Sequence, residues 1–365
     1  MPLVEHSKLP TFQRLRDEGQ VVLRPGQASK QDIRALHIGI LNMMPDTAMQ
    51  ATERQFYRLI GESNPIAQFH VHPFSLPVFE RGKKAQKHID KYYNTFEEIK
   101  EAGIDALIIT GANVSQPKLP LEPFWEPLSE VFQWAHENVT STLCSCLATH
   151  AALELQYNQA RYGLGYKRWG VFSHRVTDKN HPLVKGINTR FDVPHSRFNQ
   201  IDRSQFEAAG LHVLAESKEA GVQMAVSPDG FRTVYFQGHP EYDSISLLKE
   251  YKREVGRFAE AMRAGEQLDY PPFPLNVFDI HTQAILNEFR YRLIESINNN
   301  KELPAFPEAL ILDHIDNSWH DTAAAILANW MGLVYQVTNV DRRLPFMDSI
   351  DPDNPLSLKN ISDTK

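Results

Sequence analysis

Val139-Thr140-Ser141-Thr142-Leu143-Cys144-Ser145-Cys146-Leu147-Ala148-Thr149-His150-Ala151-Ala152-Leu153-Glu154-Leu155 is the stretch that decides the fold. Its first half is β-branched and apolar, and its second half is rich in Ala and Leu. That contrast predicts a buried strand running straight into a helix, with Cys146 at the changeover. A thiol in that position faces the partial positive charge of a helix N-terminus, which favours the thiolate. Far downstream comes Val234-Tyr235-Phe236-Gln237-Gly238-His239-Pro240-Glu241-Tyr242-Asp243. Here a second apolar run stops at a glycine, and a histidine and a carboxylate follow two residues apart. A histidine at a neighbouring strand end can take the thiol proton, and Glu241 can orient its ring. Together these are the parts of Cys-His-acid covalent catalysis.

Working outward, Ala35 to Asn42, Ala67 to Phe74 and Asp105 to Thr110 also read as buried strands. Between them, Thr47 to Ile60, Phe96 to Ala102 and Phe124 to Asn138 carry helical spacing. Strand-helix alternation with apolar strands predicts an α/β fold: a mostly parallel sheet with helices on both faces. Sites in such sheets lie beyond the carboxyl ends of the strands. Gly111, Cys146 and Gly238-His239 all fall at such ends, so three strand ends point to one crevice. From Trp169 to Val226 the runs are short and polar-broken, which suggests an antiparallel or mixed extension. Ile245 to Gly265, Phe278 to Asn299 and Trp319 to Val334 read as helices, with Pro271, Pro272 and Pro274 marking a hinge or docking turn. The division expected is a polar, irregular arm at 1–34 and an α/β catalytic domain at 35–265. A C-terminal helical extension at 266–340 packs on that domain, and a polar, frayed tail follows at 341–365.

Bulk properties narrow the function. The 365 residues are 42% hydrophobic and 23% charged with a net charge of -7, values ordinary for a soluble globular protein and with nothing that marks a nucleic-acid or anionic-membrane surface. No run approaches the roughly 18 apolar residues of a membrane span. The first residues, Met1 to Lys8, lack an apolar signal region. Cys144 and Cys146 are the only cysteines, and their spacing disfavours a disulfide, which points to a reducing cytoplasm.

Each candidate also has a plainer reading. Cysteine packs well as a small core residue, and Cys144, inside the apolar run, is assigned that role. A Cys-x-Cys pair with His150 would still need further ligands to hold zinc, so no metal is expected. Asp192-Val193-Pro194-His195-Ser196-Arg197 places a hydroxyl and a guanidinium in what reads as a short surface loop. Arginine there could grip a carboxylate through paired hydrogen bonds. Lys167 and Arg253 are each one of 38 cations.

These residues carry a resemblance. Ile40-Leu41-Asn42-Met43-Met44-Pro45, Thr110-Gly111-Ala112, Val139 to Leu143, Cys146, Pro194-His195-Ser196-Arg197 and Gly238 to Asp243 resemble the homoserine O-acyltransferases of the succinyltransferase type. That family has a class I glutamine amidotransferase-like fold. The resemblance runs from about residue 30 to 275 and resumes at Asn317-Ser318-Trp319. It implies Cys146 as the nucleophile that forms an acyl thioester, His239 as general base and Glu241 as its orienting acid. It implies Lys167, Ser196 and Arg253 as binders of the amino-acid substrate, and Ser115 as the residue that selects the acyl donor. The family's succinyl-type residue there is glycine and its acetyl-type residue is glutamate. Serine is small, which favours succinyl-CoA as co-substrate over acetyl-CoA. No other cofactor is implied, a homodimer is, and the product would be O-succinyl-L-homoserine for methionine biosynthesis. An apparent insertion at about 277–310 departs from the family pattern.

Strand-end geometry adds the backbone amides of Leu147 and Ala112 as oxyanion donors. Two other classes stay open: a glutamine amidase and a non-catalytic binding protein on the same scaffold. The flanks Ser145 and Leu147, where amidases usually carry glycines, argue against the first. The intact Cys146, His239 and Glu241 argue against the second. Serine as an acceptor in place of homoserine differs by one methylene, which binding separates by only about 10- to 200-fold.

Overall fold

Alternation of side chains along the central strands builds two of the molecule's three apolar cores. The computed structural model describes residues 3–64 and 66–358. In chain order the first elements are β1 (Leu3–Val4), α1 (Pro10–Asp17), β2 (Val22–Leu23), α2 (Pro25–Ala28), β3 (Ala35–Leu41), α3 (Asp46–Ser63) and β4 (Gln68–Phe74). Then come α4 (Lys83–Tyr92), α5 (Phe96–Ala102), β5 (Ala106–Ile109), α6 (Trp125–Asn138), β6 (Ser141–Ser145) and α7 (Leu147–Tyr157). The next are β7 (Tyr162–Val176), β8 (Arg190–Gln200), α8 (Arg203–Ala208), β9 (His212–Ser217), β10 (Gly221–Val226) and β11 (Thr233–Phe236). Last are α9 (Ser246–Arg263), α10 (Ile280–Asn298), α11 (Glu308–Ile311) and α12 (His320–Val337).

The strands form one sheet in the order β2-β1-β4-β3-β5-β6-β11-β10-β9-β7-β8. Pairings from β2 across to β11 are parallel. Those from β11 to β8 are antiparallel. In β5, Ala106 and Ile108 face one core while Leu107 and Ile109 face the other. In β6, Leu143 and Cys144 divide in the same way. One face is covered by α1, α3 and α12, and the other by α5, α6, α7 and α8. A third core joins α9, α10, Phe278 and Trp319 to Trp169 and Val171 of β7. This is the mostly parallel α/β architecture that the sequence predicts.

Three local expectations are corrected. The 1–34 arm is not irregular: β1 and β2 extend the sheet edge, and Leu3, Leu9, Phe12 and Leu15 are buried. Strands of two residues show no alternation, and a single eight-residue helix in a polar segment gives only a weak periodic signal. The region from residue 169 on does not hold short runs only, because β7 and β8 form a long hairpin. The tail is not frayed up to residue 358. Phe346 is buried, Thr140 Oγ1 donates to the Pro345 carbonyl, and Met347 N–H donates to Val337 O at 3.1 Å. Residues 359–365 of that tail lie outside the described residues.

Of the two readings of the proline-rich link, hinge or docking turn, the structure shows the docking turn. Leu275 exchanges backbone hydrogen bonds with Trp169 and Val171 at 2.9 Å. Segment 266–340 then divides, with α10 going to the third core and α12 packing beside α3 over the sheet.

Candidate active site

Strands β6 and β11 are adjacent and parallel, with Phe236 opposite Ser145. Their ends therefore leave the sheet side by side. Cys146 is the N-cap of α7 and has φ 53° and ψ −108°, a backbone shape that costs an L-residue about 1–3 kcal/mol. The surroundings hold it there. Cys146 N–H donates to Phe236 O at 2.8 Å. Thr149 Oγ1, in the first turn of α7, reaches the carbonyls of Cys144 and Phe236 at 3.0 and 2.8 Å. The result is a sharp strand-to-helix elbow with the thiol at its tip.

The segment after β11 is fixed just as firmly. Gln237 is buried, and its amide bonds Ile201 O, Val222 O and Ile201 N between 2.8 and 3.1 Å. Gly238 is needed for close approach. A Cβ there would stand 2.6 Å from Gln223 Oε1, 2.7 Å from His195 Cε1 and 2.8 Å from Pro194 O. His239 N–H donates to Pro194 O at 2.8 Å. Its Nδ1–H donates to Glu241 Oε1 at 2.8 Å, which leaves Nε2 for the thiol.

Electrostatics join the pair. Burial pushes the Cys146 thiol up, but the charge and hydrogen bond of His239 outweigh it and the thiol is held below its usual range. Burial pushes His239 down, but Cys146 and Glu241 hold it well above the ordinary histidine value. The two groups therefore favour a thiolate-imidazolium pair. Cys144 is different: it is fully buried in the core and burial alone pushes its thiol up, in keeping with a packing role.

Gly111 lies against the elbow, as the strand-end argument required. A Cβ built on it would stand 3.7 Å from Cys146 Cβ and 3.9 Å from Leu147 N. Leu147 opens α7, so its amide is one of the unpaired first-turn donors, and half-buried Ala112 follows Gly111. Ser115 is exposed on the same loop. Buried Glu122 shapes that loop by accepting Ser115 N–H and Gln116 N–H at 2.6 Å and Ser115 Oγ–H at 3.2 Å.

Lys167 and Ser196 meet at a residue the sequence reading did not single out. Glu250 of α9 accepts Lys167 Nζ at 3.1 Å, Ser196 Oγ at 2.7 Å and Tyr242 OH at 2.8 Å. Burial raises its pKa, but those partners bring it below the usual carboxylate range. Tyr242 stacks on His239, so the Glu250 cluster touches that histidine. Lys167 is carried there by a bulge in β7 between Gly163 and Arg168, and its ammonium also sits 4.0 Å over the Trp169 ring. Arg253 lies one turn beyond Glu250 with its side chain 46% exposed; its paired carboxylate is Glu254 at 3.6 Å, and it does not join the cluster.

The loop expected at Asp192 to Arg197 is instead part of β8. Proline is tolerated because β8 ends the sheet. Strand alternation turns Ser196 toward Glu250 and buries Arg197, whose guanidinium donates to Ala220 O at 2.5 Å, to Gln200 Oε1 at 3.2 Å and to His195 Nδ1.

The family described as homoserine O-succinyltransferase matches residues 2–340. The chain belongs to that family. Homoserine O-succinyltransferases of Allochromatium vinosum and Nitrosococcus oceani are each 62% identical to it, over 98% of this chain and 99% of their own. The one from Cardiobacterium hominis is 49% identical over the same shares. Among solved structures, a glutamine amidotransferase of Thermotoga maritima is 10% identical, with a TM-score of 0.44, covering 82% of this chain and 98% of that one. In this homoserine O-succinyltransferase family member, Glu250, Tyr242 and Arg197 are the site residues that sequence reasoning missed or misplaced. Glu250 had one available signal: it lies one helical turn before Arg253 on an otherwise charge-rich helix. That signal is too common to act on.

Proposed function

We propose that the protein transfers a succinyl group from succinyl-CoA to the hydroxyl of L-homoserine through a thioester on Cys146. Family membership sets the substrate class. The observation that carries the mechanism is the strained Cys146 elbow facing His239, whose other ring nitrogen is bound to Glu241.

In the first half-reaction the Cys146 thiolate attacks the thioester carbonyl of succinyl-CoA. The amides of Leu147 and Ala112 receive the oxyanion. The carbon–sulfur bond to CoA breaks, and the imidazolium of His239 protonates the departing CoA thiolate. In the second, neutral His239 takes the homoserine hydroxyl proton as that oxygen attacks the acyl-cysteine. The Cys146 carbon–sulfur bond breaks and the thiolate is restored. Glu241 holds the imidazole tautomer throughout. Lys167 and Ser196, gathered around Glu250, and Arg253, one turn farther along α9, are the groups for the amino acid: Glu250 suits its ammonium and Arg253 its carboxylate.

Intact-protein mass after mixing with succinyl-CoA or acetyl-CoA, without homoserine, tests this reading. A succinyl-sized adduct on wild type but not on Cys146→Ala is expected. An acetyl adduct alone would overturn the donor. Absence of both an adduct and homoserine acylation would overturn the activity.

A further inference from the structure

Glu241 grips His239 with one oxygen only. Its Oε1 accepts His239 Nδ1–H at 2.8 Å, while Oε2 is buried and has no hydrogen-bond partner among the described residues. A second hydrogen bond, the usual device for locking a side chain that orients another, is therefore not what aims this carboxylate. Its aim has to come from the backbone that carries it, the turn from His239 to Ser246. Inside that turn, Tyr242 N–H donates to His239 O at 3.2 Å and Ser246 N–H to Asp243 O at 2.9 Å.

Helix α3 holds this turn, although it supplies neither the nucleophile nor the base. Arg54 and Arg58 stand one helical turn apart on α3, so their side chains reach the same place. Arg58 Nη1 donates to Asp243 Oδ1, and Arg54 Nη2 to Asp243 Oδ2 at 3.5 Å. Glu18, just after α1, closes the ring by pairing with Arg58 Nε at 3.2 Å and Arg54 Nε at 3.6 Å. Gln55 of α3 adds a bond from Nε2 to Ser246 Oγ at 2.9 Å. The side chains of Arg54, Arg58 and Asp243 are only 16–21% exposed, so salt screens these pairs less than pairs on an open surface. The clamp and Glu241 border one groove of about 560 Å³. The other charges on that groove are Lys249 and Glu62, the latter paired with His320 at 3.1 Å.

We propose that Asp243, held by Arg54 and Arg58, is a positioning residue that aims Glu241 and, through it, the imidazole of His239. For turnover this rests on the acyl-transfer reading above. For the reactivity of the Cys146 thiol it does not.

Position and bare charge predict different signs. A misaimed Glu241 stabilises the imidazolium less, and the thiolate beside it with it. The pH inflection of thiol reactivity then rises whichever member of the clamp is removed. A field effect instead follows the charge lost: losing a carboxylate lowers the inflection, and losing a guanidinium raises it.

The test follows iodoacetamide alkylation of Cys146 across pH, read by peptide mass. The inflection is expected to rise by about 0.5 pH unit or more in Asp243→Asn and to rise in Arg58→Gln, with Arg58→Lys recovering part of the change. An Asp243→Asn inflection that falls or stays in place would overturn the inference. Thermal unfolding shows whether each variant is folded. Should Asp243→Asn not fold, Asp243→Glu decides, since it keeps the charge and displaces it by one methylene. A raised inflection there supports positioning, and an unchanged one overturns it. In steady-state kinetics Asp243→Asn is expected to lower kcat about tenfold and to change the homoserine KM by less than about threefold, because Lys167, Ser196 and Glu250 stay in place. A higher KM with unchanged kcat would place the clamp at the amino-acid site and overturn the inference. If wild type transfers no acyl group, the acyl-transfer reading falls, and the alkylation profiles still decide the inference alone.

Discussion

Tyr242 stacks on His239 with ring centroids 4.4 Å apart and planes 19° apart, and its hydroxyl donates to Glu250 at 2.8 Å. One side chain thus touches the proposed base and the carboxylate that gathers Lys167 and Ser196. The Glu250 cluster and the ring of His239 are thus mechanically joined. Tyr242→Phe keeps the stack and removes the hydrogen bond. It is expected to raise the KM for homoserine by about threefold to tenfold with kcat less affected, since Glu250 retains two partners. Tyr242→Leu removes the stack as well and is expected to lower kcat. Steady-state kinetics of both variants separate the two links.

Glu250→Gln keeps the shape but loses the charge that holds Lys167. The expected result is a homoserine KM at least about tenfold higher, with acylation of Cys146 by acyl-CoA nearly unchanged. Single-turnover mass measurement reads the first half-reaction and steady-state kinetics the second. A slowed first half-reaction would place Glu250 in the acyl-donor chemistry instead.

Cys146→Gly is expected to abolish transfer and to stabilise the fold. Glycine adopts φ 53° without the side-chain clash, so relief of the elbow offers about 1 kcal/mol or more, less the lost packing of the thiol. Cys146→Ala is also expected to abolish transfer but keeps the strain. Urea unfolding of the two variants side by side is the check, and Ala more stable than Gly would contradict the strain argument.

The pH dependence of alkylation follows from the coupled pair. A thiol whose pKa is depressed stays thiolate at lower pH, so iodoacetamide should modify Cys146 well below the ordinary thiol pKa of about 8.5. In His239→Asn the charge and hydrogen bond that outweigh burial are gone. The inflection is then expected above 8.5. A rate profile that does not move in the variant would show that His239 does not set the thiolate.

Gly238→Ala would place a methyl group within 2.8 Å of Pro194 O, a backbone atom that cannot swing aside. Loss of about 1–3 kcal/mol of stability and a displaced His239 are expected. Thermal unfolding and kcat should fall together.

The parallel half of the sheet was readable because its strands are buried on both faces and separated by helices of ordinary length. Cys146, His239 and Glu241 were readable for the same reason, since each sits where an apolar strand stops. Local sequence does not encode long-range cover, and that is where the reading failed. Leu3 and Phe12 look like parts of a polar arm until the sheet edge receives them. Pro194 and Arg197 look like a loop until β7 pairs with them and Arg197 is enclosed. Glu250 gains meaning only from Lys167, Ser196 and Tyr242, which come from β7, β8 and the turn after β11.

Helix α12 lays Ile326, Leu327, Trp330, Met331 and Val334 over the sheet face formed by β3, β5 and β6, and Trp330 Nε1 donates to Ser141 Oγ at 2.8 Å. The strand that leads to Cys146 is therefore roofed by a helix made long after it in chain order, α12 beginning at His320 and β6 ending at Ser145. During synthesis the sheet face under α12 stays bare while most of the chain already exists, so completion of this core is a late, non-local event. Nascent chains halted before residue 320 would expose a broad greasy surface and depend on chaperones. The elbow at Cys146, whose strain the finished core must hold, would be set only once α12 has been made.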